Sequence, residues 1–173
     1  VLEDVFVPDA AIGGRRTPGK WHPLFQIIAM LAIPLIYAAY LGVAESAGDR
    51  ALALARKRRP TPHLYDLIGE LQNEVCAAEL AHADMVAAAA TDEPGFPTSN
   101  RVFTGRALVA RSVLRAVDVA LDVAGGAGFF RDAGLERLFR DAQSARFHPL
   151  QDGDQRHLAA ALALGADPEA VPA

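Results

Sequence analysis

The stretch LFQIIAMLAIPLIYAAYLGVA, residues 24–44, carries no charged side chain over 21 positions, and it limits the possible folds more sharply than any other part of the chain. A run of that length is either a helix covered on most sides or a helix that crosses a bilayer. Gln26, Tyr37 and Tyr40 lie inside it and no second such run exists. The remaining segments read as amphipathic helices, each needing a partner for its apolar face. The run is therefore expected to be a central bundle helix rather than a membrane span. With its flanks it should extend from Pro23 to about Arg58, bent at Pro34, where a ring replaces an N–H and crowds the preceding turn. Pro60 and Pro62 stop it.

A second helix is expected at 63–90, from the stripe Leu64, Leu67, Ile68, Leu71, Val75, Ala78, His82, Met85 and Val86 at three- and four-residue steps. A third, at 101–124 with Ser99 or Asn100 as its cap, sets Arg111, Arg115, Asp118 and Asp122 on a narrow polar side and small apolar residues around the rest. It ends in GGAGFF, whose glycines permit left-handed backbone or a close approach by another molecule. Shorter helices should follow at 134–147 and 154–164. Residues 1–8 suit a short strand or an extended piece, and GGRRTPG a flexible link. The predicted fold is all-α, an up-down four-helix bundle with a short extended N-terminal segment.

At 173 residues and 51% apolar content the chain can bury one core. A formal charge of −4 gives no reason to expect nucleic acid or an anionic membrane as partner. The basic run RKRR at 56–59 serves either as the charge-compensated end of the first helix or as a phosphate-binding cluster. With Cys76 as the lone cysteine, neither an internal disulfide nor a thiolate metal site can form, which fits a reducing, cytoplasmic compartment. An acidic pair stands near the start, where a signal peptide would be basic. There is no initiator methionine, so the chain reads as an excised piece of a longer protein.

Glu79 and His82 have the ExxH spacing of di-iron bundles, but the third helix holds no glutamate to complete such a site, so no metal is expected. His82 is read instead as a core histidine bonded to a neighbouring helix. HExxH, GxSxG and Walker motifs are absent, and GGxG at 125–128 lacks the strand that opens a dinucleotide-binding fingerprint. Arg137 and Asp141, four apart, should pair and leave Arg140 free to face a partner. His148 stands at a helix end, directly before Pro149, which biases it toward extended backbone. Such a histidine can bond or exchange a proton with a bound group near neutral pH. It can equally serve to satisfy helix carbonyls.

Three ordered stretches, ESAGDRALALARKRR at 45–59, DVAGGAGFF at 122–130 and LERLFRDAQSARFHPL at 135–150, resemble the C-terminal helical domain of the acyl-CoA dehydrogenase superfamily of flavoenzymes. The resemblance covers nearly the whole chain. DVFVPD at 4–9 is similar to the strand end leaving that family's central β domain, which makes 1–20 the end of that domain with its linker and 21–173 the helical domain. The resemblance implies a homodimer or homotetramer. It implies that Arg56 reaches the flavin pyrophosphate across a subunit interface, and that Gly125, Gly126 and Gly128, with Phe129 alongside, touch the adenine-side part of FAD. Asp122 replaces a family glutamine before the turn, which brings FMN in as an alternative.

Dehydrogenases of the family carry YEG after RDA and a short spacer, the glutamate removing a proton from the acyl thioester. This chain reads Phe147-His148-Pro149-Leu150, with Pro149 in the glutamate's place and Glu45 the remaining candidate base. RDA followed by FHP resembles the oxygen-using branch, flavin-dependent monooxygenases that take reduced flavin from a separate reductase. There the resemblance implies that His148 lies near the flavin ring where oxygen adds, as a hydrogen-bond donor or proton shuttle rather than a nucleophile. The implied activity is a two-component monooxygenase or hydroxylase acting with O2 on a small apolar or aromatic substrate, this piece being inactive alone. The alternatives are an acyl-CoA dehydrogenase domain and a non-enzymatic helical oligomerisation module.

Overall fold

The computed structural model describes residues 3–18 and 20–169. Helix α1, Pro23–Ala55, starts where local chemistry dictates. His22 Nδ1 accepts the Leu24 N–H at 3.1 Å, and Pro23 occupies the first turn, where no intrahelical N–H is needed. The helix continues through Pro34, as expected, although the ring withholds a donor from the turn before it. The Pro34 carbonyl accepts a hydrogen bond from His82 Nε2 at 2.9 Å, so His82 joins the second helix to the first.

Helix α2, Pro62–Thr91, is capped by Thr61, whose Oγ1 accepts the Leu64 N–H at 3.1 Å. Its innermost residues Leu64, Leu71, Ala78 and Met85 recur every seven positions, the seam of a helix packed along another. Val86, expected on this face, is exposed, because one residue beyond Met85 turns the side chain about 100° away.

Helix α3, Phe96–Ala124, begins earlier than expected. Pro97 is tolerated in a first turn, so FPTSN opens the helix instead of preceding it. Ser99 and Asn100 therefore lie within the helix and are not its cap, a place taken by Gly95. The corner between α2 and α3 is closed by Arg101, which pairs with Asp84 on one side and with Asp92 at 2.9 Å on the other. The Arg101 guanidinium holds the Asp84 carboxyl below the usual carboxylate range.

Helix α3 is the axis of the molecule: α1, α2 and the two short helices α4, Leu135–Ala142, and α5, Asp152–Ala163, all pack on it. Its polar side at Arg111, Arg115, Asp118 and Asp122 is exposed as expected, and Leu108 joins it at the surface. Small residues let backbones meet closely. At Gly105 an added Cβ would run into Met85 of α2.

The expected helix at 134–147 is shorter. Its α-helical part stops at Ala142 and tightens into a 3-10 turn over Gln143–Arg146, because its last carbonyls are drawn to side chains of α1 and α3 described below. Arg140 is not free as expected: both it and Arg137 pair with Asp141, at 3.3 and 3.4 Å. No strand forms among the described residues; residues 3–8 hold neither helix nor strand, Asp4 turning the backbone at φ 51°, and a 3-10 turn follows at Asp9–Ala11, while residues 1 and 2 of the expected strand or extended piece lie outside the described residues.

The inner face of α1 buries Ile33, Tyr37, Ala44, Ala47 and Ala51, while Ile27, Ile28, Leu31 and Leu35 are exposed, Leu35 at 75%. By length and composition α1 is also the one described helix apolar enough to cross a membrane.

Candidate functional site

Tyr37 and Tyr40 lie three residues apart on α1 and so share one side of the helix. That side faces the turn joining α4 to α5. The Tyr37 hydroxyl donates to the Ala145 carbonyl at 2.7 Å, and the Tyr40 hydroxyl lies 2.6 Å from His148 Nε2. The rings form one cluster, His148 meeting Tyr37 edge-on at 5.9 Å and Tyr40 at 5.5 Å between centroids. Burial pushes the Tyr37 phenol up to about 12, against the opposing pull of the Arg106 guanidinium.

Arg106 sits beneath this turn from the α3 side with a side chain that is 0% exposed. An isolated buried guanidinium would cost several kcal/mol; here its two Nη groups meet four acceptors, while Nε is buried without a partner. Nη1 donates to Asp152 Oδ1 at 2.5 Å, and Nη2 to the carbonyls of Ala145 (3.3 Å), Arg146 (3.4 Å) and His148 (2.9 Å). Its Cζ stands 5.7 Å from the centre of the Tyr37 ring.

Beside the cluster runs an apolar groove of about 530 Å³, walled by Trp21, Phe25, Ile33, Phe103, Pro149 and Leu150, with Lys20 also on its lining. Pro149 offers it hydrocarbon and no proton acceptor. Glu45, the other candidate base, is exposed on α1 about 140° around the helix from Tyr40 and does not join the cluster.

The remaining predicted residues gather at the other end of α1. Arg56 follows the last turn of α1 and lines a small hollow with Leu52, Arg58, Pro60 and Tyr65. Within the RKRR run, Arg58 caps a different helix from the one expected: its Nη1 donates to the Val123 carbonyl in the last turn of α3, at 2.7 Å. Gly125 ends α3 at φ +60°, with Arg58 against it. Gly128 is buried, and a Cβ there would meet Ala124 at 2.9 Å and Leu135 at 3.3 Å, so helix packing alone requires this glycine. Gly126, by contrast, has open space around it, and Phe129 is 84% exposed. Asp122 is exposed one turn earlier.

About 24 Å of helix rise separate Tyr40 from Arg56. The chain thus places the predicted residues in two stations, His148 at one and Arg56 with the glycine turn at the other. At the second, Arg56 is exposed and Arg58, which lines the same hollow, lies against Gly125; guanidinium and glycine backbone are donors that fit a phosphate-bearing cofactor. At the first, a phenol and an imidazole stand by an apolar wall, which fits the edge of a planar ring. No group of side chains that could hold a metal occurs among the described residues.

Sequence reasoning missed Arg106, Tyr40, Tyr37 and Asp152. The signal for Arg106 was a lone charge amid Val102, Phe103, Val109 and Ala110, a face otherwise apolar. For the tyrosines it was two hydroxyls inside an uncharged run, each needing a partner once buried.

A family model described as acyl-CoA dehydrogenase, C-terminal domain, matches residues 33–149. A probable acyl-CoA dehydrogenase, YngJ of Bacillus subtilis (strain 168), is 28% identical over 153 residues, covering 83% of this chain and 38% of the relative. The structure of KijD3 in complex with FMN and dTDP-3-amino-2,3,6-trideoxy-4-keto-3-methyl-D-glucose superposes with a TM-score of 0.78 at 25% identity, over 91% of this chain and 42% of that one. The HsaA monooxygenase from M. tuberculosis shares the fold, with a TM-score of 0.70 at 18% identity over 84% of this chain and 42% of its own. The chain therefore spans about two-fifths of the length of the relatives it matches.

Proposed function

The chain belongs to the acyl-CoA dehydrogenase C-terminal domain family, and from that premise we propose that it forms the helical part of a flavin-dependent monooxygenase acting on a small apolar or aromatic substrate. The observation that carries this reading is the Tyr40–His148 pair at 2.6 Å beside Pro149, where a dehydrogenase of the family would need a carboxylate. Such a pair can hold a proton between Oη and Nε2 and present it to a neighbouring oxygen, but it does not supply the carboxylate base of a thioester oxidation. FMN, bound in the KijD3 structure, and FAD are both compatible with the residues.

In this reading Arg56 holds the cofactor's phosphates across a subunit interface, and the turn of Gly125, Gly126 and Gly128 touches its adenine side, with Phe129 alongside. Reduced flavin, delivered by a separate reductase, supplies when bound the electrons by which one atom of O2 enters the substrate and the other leaves as water. With Nε2 engaged by the Tyr40 hydroxyl, which orients the ring, His148 donates a hydrogen bond through Nδ1 where negative charge develops. The apolar groove along Trp21, Phe25 and Phe103 excludes water and receives an apolar substrate. The exposed face of α1 meets a second copy of the chain, in a homodimer or homotetramer located in the cytoplasm.

The test is oxygen consumption and product formation measured together in the protein that carries this chain. Substituting His148→Ala should leave oxygen consumption running while product falls and hydrogen peroxide rises; unchanged coupling would refute the role. A second reading, acyl-CoA oxidation, is favoured by the relatives matched in sequence. It would be upheld if an acyl-CoA reduced the flavin under anaerobic conditions.

A further inference from the structure

We infer that Arg106 is a positioning residue: it fixes the backbone turn that carries His148 and so sets where the imidazole stands against Tyr40, a consequence for catalysis that rests on the reading of His148 given above. Its side chain is fully buried and does not line the apolar groove, so it acts through the turn and not on a bound molecule.

The turn needs such a holder. It begins in the 3-10 segment Gln143–Arg146, whose closing carbonyls have no further helical turn to donate to them, and it ends at α5, whose N-terminus has no side-chain cap. One Nη2 reaches three of these carbonyls, those of Ala145, Arg146 and His148. The shortest of the three, 2.9 Å, goes to His148 itself. Nη1 ties the guanidinium to Asp152 in the first turn of α5, and the face of the Tyr37 ring limits its tilt. Tyr37 steadies the same turn at Ala145 but does not reach His148 by hydrogen bonding. Arg106 therefore links three elements at the point where the His148 backbone leaves the helix.

A planar guanidinium can span these acceptors at once, whereas the ammonium of lysine is a point charge with no such fork. Arg106→Lys keeps the charge and loses the span. Asp152→Asn keeps an acceptor for Nη1 and loses its charge, and as its side chain is 63% exposed it serves as the milder variant should the lysine protein not fold.

The experiment follows two signals in the intact protein: the NMR cross-peak between the Tyr40 and His148 rings with the His148 ring-nitrogen shifts, and product formed per O2 consumed. In whichever variant keeps a wild-type melting profile, the expected result is loss of the cross-peak, displaced nitrogen signals and coupling lowered by about tenfold, the scale of a small misplacement at a reacting centre. Cross-peak and nitrogen signals at their wild-type values in a folded variant would overturn the assignment. If the wild-type protein forms no oxygenated product, the monooxygenase reading fails by itself, and the NMR signals still decide the role of Arg106.

Discussion

The Tyr40 hydroxyl and His148 Nε2 approach to 2.6 Å although they are 108 positions apart in the chain. Their meeting depends on α1 presenting Tyr40 at one turn beyond Tyr37, and on the α4–α5 turn being held from both sides. Replacing Tyr40 by Phe keeps the ring packing and removes one hydrogen bond, worth about 0.5–1.5 kcal/mol. Product per oxygen consumed should fall by about two- to tenfold, that energy expressed as a rate ratio. Coupling equal to wild type would remove Tyr40 from the site.

Tyr37 gives the fold an alkaline limit. Its phenol stays protonated in the folded chain up to about 12 but ionises near the ordinary phenol value of 10.0 once unfolded. Between those values the unfolded state binds fewer protons than the folded one, so stability declines as pH rises through this window and is unaffected by this group below it. Melting temperature recorded from pH 8 to 12 should show the decline in wild type and less of it in Tyr37→Phe.

Glycines of the same chain separate packing from ligand approach. Gly105→Ala places a methyl against Met85 and should destabilise by about 1–3 kcal/mol, seen as a lower melting temperature. Gly126→Ala meets no atom of the chain and should change stability by less than about 0.5 kcal/mol. If the cofactor lies against that backbone, flavin titration of the Gly126→Ala protein will show weaker binding despite an unchanged melt.

The outer face of α1 tests the assembly. Leu35→Glu together with Leu31→Glu sets charges on positions 75% and 57% exposed in the single chain, so the chain itself should tolerate them. Sedimentation should then show a smaller species than wild type. An unchanged mass would remove this face from the proposed assembly.

The helices could be read from the sequence wherever a single periodic signal controlled them. The Leu64-to-Met85 spacing and the uncharged run at 24–44 each sufficed, since burying an apolar stripe is a local property of the helix. The start of α3 was not legible, because FPTSN carries both loop and helix-opening chemistry and only tertiary packing chooses between them. The end of α4 was misjudged for a related reason: Tyr37 and Arg106, far away in the chain, capture the carbonyls of Ala145 and Arg146 just beyond it. His148 could be singled out from its own neighbours, Phe147 and Pro149. Tyr40 and Arg106 could not, since what matters about them is a distance across the bundle.

Helix α1 also works as a ruler. Tyr40 near its middle and Arg56 just past its end are joined by uninterrupted helix, so their separation, about 24 Å, cannot be shortened by any loop movement. A compact ligand can touch one station or the other and never both within one copy. Whatever the two stations recognise is therefore either an elongated molecule lying along the bundle or two separate molecules.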